Sequence, residues 1–242
     1  MNEPYEEAVN TRFARDVVID EPASPILSGV IVVLILLILV LAVLIVRSVF
    51  FVSPAPRTVA ERDILAAEQA VRAEPVSAIR HVDLGIAYFQ AGMNERALSE
   101  FDTALQYDKN SFDAHFQMGR VHQSQKDFKL AIQEFEKAVK INKTLSSAYF
   151  QLGMIYLEEK RDYKKAAEEF QAALKSGPML SDVHYYLGFS YEKLGQKEGA
   201  LKEYREAIKF IPDFKAAREG VERLTNPAAA KSAPAKPPAV LP

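Results

Sequence analysis

The sequence predicts an all-α protein in which one apolar N-terminal helix is followed by an α-solenoid of stacked helix pairs. Two observations support this prediction. Residues 26–46 form an uncharged run made mostly of Leu, Ile and Val. Between residues 78 and 214, a pattern of 34 or 35 residues then recurs four times. A repeat of this period is typical of helical arrays, in which neighbouring units bury each other's apolar faces.

Composition limits the kinds of partner. The 242-residue chain has a formal net charge of −2 and no cysteine. A near-neutral chain has no general attraction for nucleic acid, so we expect no nucleic-acid partner. The lack of cysteine excludes disulfides and thiolate metal sites. Residues 1–25 are acidic, and we expect them to be a disordered N-terminal segment.

Residues 26–47 are predicted to form a transmembrane helix. At 1.5 Å per residue the apolar run spans roughly 30 Å, the thickness of a bilayer core. Pro25 suits a helix start, Arg47 ends the run, and Pro54 and Pro56 prevent the helix from continuing. The alternative is a cleaved signal peptide, which the length of the run and its acidic flank disfavour.

This helix predicts a single-pass protein of the cell membrane, with the bilayer contacted through residues 26–47. Arginines lie on both sides of the run, so the side of the membrane that carries the repeats stays open. Residues 48–58 form a juxtamembrane linker, whose last six residues reach about 20 Å at most. A solenoid held this close to the bilayer favours a membrane-bound or membrane-proximal partner.

Each repeat is predicted to consist of two helices joined by a short turn. In the first repeat, Leu84, Gly85 and Tyr88 share a stripe on one helix, and Ala97 and Phe101 share a stripe on the next. The repeats are predicted over 78–111, 112–145, 146–180 and 181–214, within a solenoid covering 59–224. The same slots in the later repeats hold Met118, Gly119, His122, Ala131 and Phe135; Leu152, Gly153, Tyr156, Ala166 and Phe170; and Leu187, Gly188, Tyr191, Ala200 and Tyr204.

The glycines of this pattern predict close helix packing. Gly85, Gly119, Gly153 and Gly188 fall in helix interiors, where glycine costs about 1 kcal/mol relative to alanine. This recurrent cost is explained if the second helix of each repeat must approach the backbone of the first. Gly92 and Gly195 are instead predicted to end first helices in a left-handed conformation.

The array extends beyond the four repeats. Residues 59–73 are predicted to be a half-repeat helix, because Ala60, Ile64, Ala67 and Val71 share one face. Residues 215–224 are predicted to be a capping helix. Residues 225–242 are rich in Pro, Ala and Lys, which predicts a disordered tail. The charged residues of the capping helix that we expect to face solvent are Lys215, Arg218, Glu219, Glu222 and Arg223.

The repeats resemble those of the tetratricopeptide repeat family. That family has Leu-Gly at positions 7 and 8, Tyr at 11, Ala at 20 and 27, Phe or Tyr at 24 and Pro at 32. Lys109 and Lys143 depart from the last position, and His122 replaces one Tyr. The third repeat is one residue longer, near Arg161. With its predicted anchor, the chain is similar to membrane-anchored bacterial members of the family, which implies protein binding rather than catalysis.

The histidines do not predict a metal site. His81, His115 and His184 all fall at position 4 and His122 at position 11, so the repeat explains them as packing residues. No third ligand accompanies His115 and His122, which are seven residues apart. Because no phosphate-binding loop or catalytic constellation is present either, we predict no enzyme, no catalytic residue, no metal and no cofactor.

The resemblance also implies a binding groove, since positions 5, 9 and 12 of the first helices line the inner face in this family. Apolar residues there are surplus to the core and predict an interaction site. The alternative is that they pack on one another in a narrow groove. The residues carried over are Val82, Ile86, Phe89, Phe116, Arg120, Phe150, Met154, Leu157, Tyr185 and Phe189.

The predicted ligand is an apolar or aromatic segment of a protein or peptide. Family members that grip acidic C-terminal tails place Lys and Asn where this chain has Val82 and Ile86, so a carboxylate clamp is not expected. Arg120 is available for one carboxylate or backbone carbonyl. We therefore predict a membrane-anchored scaffold or adaptor for the assembly of a membrane-associated complex. The alternative is a chaperone-like holder of exported or inserting clients.

Overall fold

The computed structural model describes residues 25–50, 58–177 and 181–226, and these residues contain helices and turns without any β-strand. Helix α1 belongs to one compact unit and helices α2–α11 to another. The helices are α1 (Pro25–Phe50), α2 (Val59–Ala73), α3 (Ala78–Gln90), α4 (Asn94–Tyr107), α5 (Phe112–Ser124), α6 (Phe128–Ile141), α7 (Ser146–Ile155), α8 (Tyr163–Ser176), α9 (Ser181–Lys193), α10 (Lys197–Phe210) and α11 (Lys215–Thr225).

Helix α1 covers the apolar run and extends it to 26 residues. Within the described ranges, no helix combines the length and the hydropathy that crossing a bilayer requires. The structure therefore does not support the transmembrane assignment of residues 26–47. The predictions made for residues 1–24, 51–57 and 227–242 lie outside the described residues.

Helices α3 to α10 form four antiparallel pairs. The first helices begin at Ala78, Phe112, Ser146 and Ser181, the residues at which the predicted repeats begin. Each first helix packs against its own second helix, and each second helix packs against the next first helix. The core lies between these layers and contains the aromatic residue of every second helix, each fully buried: Phe101, Phe135, Phe170 and Tyr204.

The interior glycines give these aromatic rings their space. A Cβ atom added to Gly85, Gly119, Gly153 or Gly188 would lie less than 3.0 Å from the ring of Phe101, Phe135, Phe170 or Tyr204 in the same repeat. Any larger residue would displace the ring and separate the two helices. The close approach predicted from the sequence is therefore observed, and the aromatic ring of the second helix is the group that requires it.

The turn inside each repeat places one residue in the left-handed conformation. Gly92 (φ 75°) and Gly195 (φ 72°) occupy this place in the first and fourth repeats. Lys126 (φ 63°) and Arg161 (φ 52°) occupy it in the second and third, where an L side chain makes the conformation costly. The extra residue of the third repeat is accommodated by a π-helical turn over Tyr156–Lys160.

The two ends of the array are covered differently. Helix α2 begins with a capping box between Thr58 and Glu61, and it packs on α3 through Ile64 and neighbouring apolar residues. Helix α11 packs on α10 and α9. The expectation that its charged residues all face solvent is wrong for Arg223, which is 7% exposed because it is ion-paired inside the array.

Candidate functional site

The candidate site is the inner layer of the solenoid, which is formed by the first helix of each repeat. Helix α3 contacts α5 directly, and α9 contacts α11. The guanidinium of Arg120 on α5 lies over the ring of Phe89 on α3, with 5.4 Å between its Cζ and the ring centroid. The positions assigned from the family to the groove of the first two repeats are therefore neighbours in space.

Half of the predicted groove residues are open to solvent. We call them the open groove. Arg120 is exposed, and four apolar side chains around it are half-buried: Ile86, Phe89, Phe116 and Phe150. The ring of Phe116 rests on Phe135 (5.6 Å between centroids), so the core supports it from below while one side remains accessible.

The other half is closed. The predicted site residues Val82, Met154, Leu157, Tyr185 and Phe189 are all buried, with at most 7% of each residue exposed. The expectation that they are surplus to the core is wrong, because they are part of it. For these five, the structure agrees with the alternative that the side chains pack on one another. We call the last four, which lie in the third and fourth repeats, the filled groove.

Two bulky side chains from different parts of the fourth repeat fill this half. Tyr186 stands where the other repeats have Asp83, Gln117 and Gln151, and its ring lies 5.9 Å from those of both Phe150 and Phe170. Phe214, which precedes α11, covers Tyr185 from the other side at 5.1 Å. Burial raises the pKa values of both tyrosines far above the ordinary value of 10, so both phenols stay neutral.

A buried ion pair closes the filled groove at its C-terminal end. The Arg223 guanidinium donates from Nε to Glu192 Oε1 (3.2 Å) and from Nη2 to Glu192 Oε2 (3.1 Å). The Tyr204 hydroxyl donates to the same Oε2 at 2.6 Å. Burial and this hydrogen bond raise the pKa of Tyr204, which keeps its proton available to the carboxylate. The network joins α9, α10 and α11, so it holds the cap in place.

The histidines at position 4 all bond to glutamates of the second helix. His81, His115 and His184 place Nδ1 2.7 Å from Glu100, Glu134 and Glu203, respectively. These contacts fit the structural role that the repeat predicted. Within the described ranges, no three His, Asp or Glu side chains come together as a metal site would need.

The third repeat lacks this histidine and has Tyr149 instead. Its glutamate at the equivalent place, Glu169, has a pKa that is raised by burial and by the nearby carboxylates of Glu136 and Glu168. In the second repeat, burial also acts to raise the pKa of Glu134, but hydrogen bonds from His115 and Lys137 reverse the shift and leave it lowered. The environment thus favours the ionised form of Glu134 in the second repeat, whereas it disfavours the ionised form of Glu169 at the same position of the third repeat.

Sequence reasoning missed Gln117, which orients the one cation of the open groove. Arg120 Nη1 donates to Gln117 Oε1 at 3.0 Å, which holds the guanidinium over Phe89. The signal was available in the sequence, because residues three apart on a helix are neighbours. It also missed the space-filling role of Tyr186, which only the packing between repeats determines.

Comparison with known proteins agrees with this architecture. Three models of the tetratricopeptide repeat match residues 82–145, 146–177 and 181–214, together more than half of the chain. Comparison with curated protein sequences gives no match.

Solved structures match the solenoid. A crystal structure titled "YrrB: a TPR protein with an unusual peptide-binding site" is 26% identical, covering 66% of this chain and 81% of its own, with a TM-score of 0.53. MamA residues 41 to the end, from Desulfovibrio magneticus RS-1, is 25% identical and covers 65% and 89%, with a TM-score of 0.55. A further MamA structure is 20% identical and covers 64% and 95% (TM-score 0.55), which shows the fold alone.

Proposed function

The chain belongs to the tetratricopeptide repeat family, and we propose that it is a protein–protein interaction scaffold that binds an apolar or aromatic segment of its partner in the open groove. The observation that carries this proposal is the half-buried set of Ile86, Phe89, Phe116 and Phe150 around exposed Arg120. Half-buried aromatic rings supported by a core are rigid contact surfaces that bind at low entropic cost.

The chemistry of the open groove limits its ligand. The cation over the Phe89 ring attracts a carboxylate or a backbone carbonyl, and the three phenylalanines provide apolar contact on either side. Because the filled groove has no space left on its inner face, the bound segment lies along the first three repeats. The relative described as having an unusual peptide-binding site supports peptide capture by an array of this kind.

We further propose that helix α1 anchors the scaffold in a membrane, with a membrane-bound or membrane-proximal partner and a role in assembling a membrane-associated complex. The support is the run from Ile26 to Val46, which contains no charged residue. Its test is the behaviour of the chain in fractionated cells. The full chain should stay in the membrane pellet through an alkaline carbonate wash, and a chain without residues 25–50 should be released; release of the full chain would overturn the anchor.

The second candidate is a chaperone-like holder of exported or inserting clients, which the exposed aromatic surface also favours. The two functions differ in what is bound. A scaffold captures one defined partner at fixed stoichiometry, whereas a holder captures many unfolded chains. Protease accessibility of the solenoid in spheroplasts would establish on which side of the membrane either function operates.

The groove is tested with a double variant and a matched control. Phe116→Ala with Phe150→Ala removes two contact rings, whereas Val139→Ala with Leu174→Ala removes two partly buried side chains of second helices that pack against the core. After purification from detergent-solubilised membranes, the first variant should lose the co-purified partner and the second should retain it. If circular dichroism shows that both variants are folded and both retain the partner equally, the groove proposal is wrong.

A further inference from the structure

The first repeat contains a histidine whose two ring nitrogens both face hydrogen-bond acceptors. His81 Nδ1 lies 2.7 Å from Glu100 Oε2, and its Nε2 lies 3.0 Å from the backbone carbonyl oxygen of Pro75. A neutral imidazole has a single N–H, whereas a peptide carbonyl and a carboxylate have no proton to donate. Both contacts are hydrogen bonds only if the His81–Glu100 pair holds one proton more than a neutral imidazole beside a carboxylate.

The equivalent histidine of the second repeat does not share this geometry. His115 bonds through Nδ1 to Glu134, and in the described part of the chain its Nε2 has no hydrogen bond. One N–H is sufficient for this histidine, so a neutral ring satisfies its contact. The second repeat therefore supplies a control, since the two His–Glu pairs differ in the carbonyl that faces His81.

That carbonyl belongs to the turn that attaches helix α2 to the array. Pro75 lies between Ala73, the last residue of α2, and Ala78, the first residue of α3. No residue of α2 is fully buried; the helix is held by the partly buried Ile64, Ala67 and Val71 and by a hydrogen bond from Tyr88 to Glu68 (2.9 Å). A helix with so little burial depends strongly on a bond that fixes its end.

Among the residues that the structure describes, Glu100 is the one carboxylate that touches the ring. From α4 the imidazole faces Glu100 and the ring of Tyr107, whose centroid is 5.4 Å away. Several charged side chains of the neighbouring segments are paired with groups other than this ring: Arg80 with Glu74 (3.0 Å) and Asp83 (3.7 Å), and Arg96 (2.8 Å) and Glu68 with the hydroxyl of Tyr88.

We propose that His81 is a proton-dependent clasp that holds helix α2 on the first repeat. With the extra proton, the ring donates to Glu100 and to Pro75 and fixes the α2–α3 turn. When the proton is lost, one of the two contacts becomes a lone pair facing a lone pair, and α2 separates more readily from α3. Proton binding thus favours the docked state, so docking weakens as the pH rises.

The test measures the position of α2 in the full chain. Because the chain has no cysteine, Gln69→Cys on α2 and Asp102→Cys on α4, both exposed, give one pair of spin labels. Double electron–electron resonance in detergent should give a single narrow distance near pH 5.5 and a growing second population towards pH 8.5. A single linked proton changes the docked-to-undocked ratio by at most about tenfold per pH unit.

Three variants make the test decisive. His81→Gln should show the second population at both pH values, because both N–H groups of glutamine are on one nitrogen, whereas the two acceptors face two separate ring nitrogens of His81. Glu100→Gln should stay docked at both, because its amide can donate to a neutral ring that still donates to Pro75. His115→Gln should respond like the parent chain. A parent chain whose distance does not change with pH, or a His81→Gln variant that keeps the pH response, would overturn the clasp.

Discussion

The first helices of the two N-terminal repeats and those of the two C-terminal repeats occupy the same positions of the same fold, yet their inner faces differ. In the N-terminal pair, Ile86, Phe89 and Phe116 are half-buried beside exposed Arg120, whereas in the C-terminal pair Met154, Tyr185 and Phe189 are buried. The repeat position therefore determines which way a side chain points. Whether it is accessible depends on the size of the residues that the next helix brings against it.

The largest expected effect is on the free energy of unfolding, and it compares a buried ring of the filled groove with a half-buried ring of the open groove. Tyr185→Ala removes a ring that is 1% exposed, and we expect it to lower the free energy of unfolding by about 3–5 kcal/mol. Phe116→Ala removes a half-buried ring and should cost roughly half as much. Denaturant unfolding followed by circular dichroism measures both changes. Equal costs would mean that the open groove is not open in solution.

The next effect concerns the ion pair that closes the filled groove. Arg223→Ala leaves Glu192 buried beside Tyr204 without its cation, which should destabilise the array by about 3 kcal/mol or more. The matched control is Arg218→Ala on the same helix, which removes the exposed pair with Asp213 (3.2 Å) and should change stability by less than about 1 kcal/mol. Hydrogen exchange of α11 should accelerate in the first variant alone.

A smaller effect on stability is expected at Glu134 and Glu169, which occupy the same position in the second and third repeats. The two effects should have opposite signs. The pKa of Glu134 is lowered, so its contribution to stability is present above the ordinary value of 4.5 and is lost as the pH falls. The pKa of Glu169 is raised, so its ionisation costs stability at neutral pH and the cost disappears on acidification.

Glutamine substitution separates the two cases. At pH 7, Glu134→Gln should lower the unfolding free energy and Glu169→Gln should raise it, each by about 1 kcal/mol. The comparison of unfolding midpoints at pH 7 and pH 4 checks the sign, since the difference between each variant and the parent chain should shrink at the lower pH. Destabilisation by Glu169→Gln at pH 7 would contradict the assignment.

The smallest effect on stability is expected from substitutions in the turns inside the second and third repeats. Lys126→Gly and Arg161→Gly each replace an L residue in the left-handed conformation by the glycine that the first and fourth repeats use. The relief of strain exceeds the extra flexibility of glycine in the unfolded chain, so each variant should be more stable by up to about 1 kcal/mol. Thermal melts measure the gain, and Gly92→Lys should show the reverse change.

These contrasts also show which features of the fold the sequence could predict and which it could not. The 34-residue period predicted the solenoid and its helix starts, because helix pairs that bury each other's stripes repeat with the sequence. The interior glycines predicted close packing for the same local reason. Accessibility was predicted less well, since five of the ten residues assigned to the groove are buried by contacts between repeats that position numbers do not encode.

Two specific failures illustrate that limit. Arg223 was expected in solvent because a charged residue on a terminal helix usually is, but Glu192 lies 31 residues earlier in the chain and becomes its partner only through folding. The contact of His81 with the Pro75 carbonyl is equally invisible in the sequence, since it depends on the path of a turn. Contacts between separate elements, whether to a side chain or to the backbone, depend on three-dimensional packing. A local sequence pattern does not predict them.

The most direct test of the central claim is a photo-crosslinking comparison along the inner face. A photoreactive residue is placed at Gln123, beside Arg120 in the open half, at Lys193 in the filled half, and at Lys140 on the outer helix α6. Irradiation of intact cells should give a discrete crosslinked product from Gln123 that disappears with Phe116→Ala and Phe150→Ala, and no such product from Lys193 or Lys140. The same product from Lys193, or its persistence without the two phenylalanines, would contradict the account.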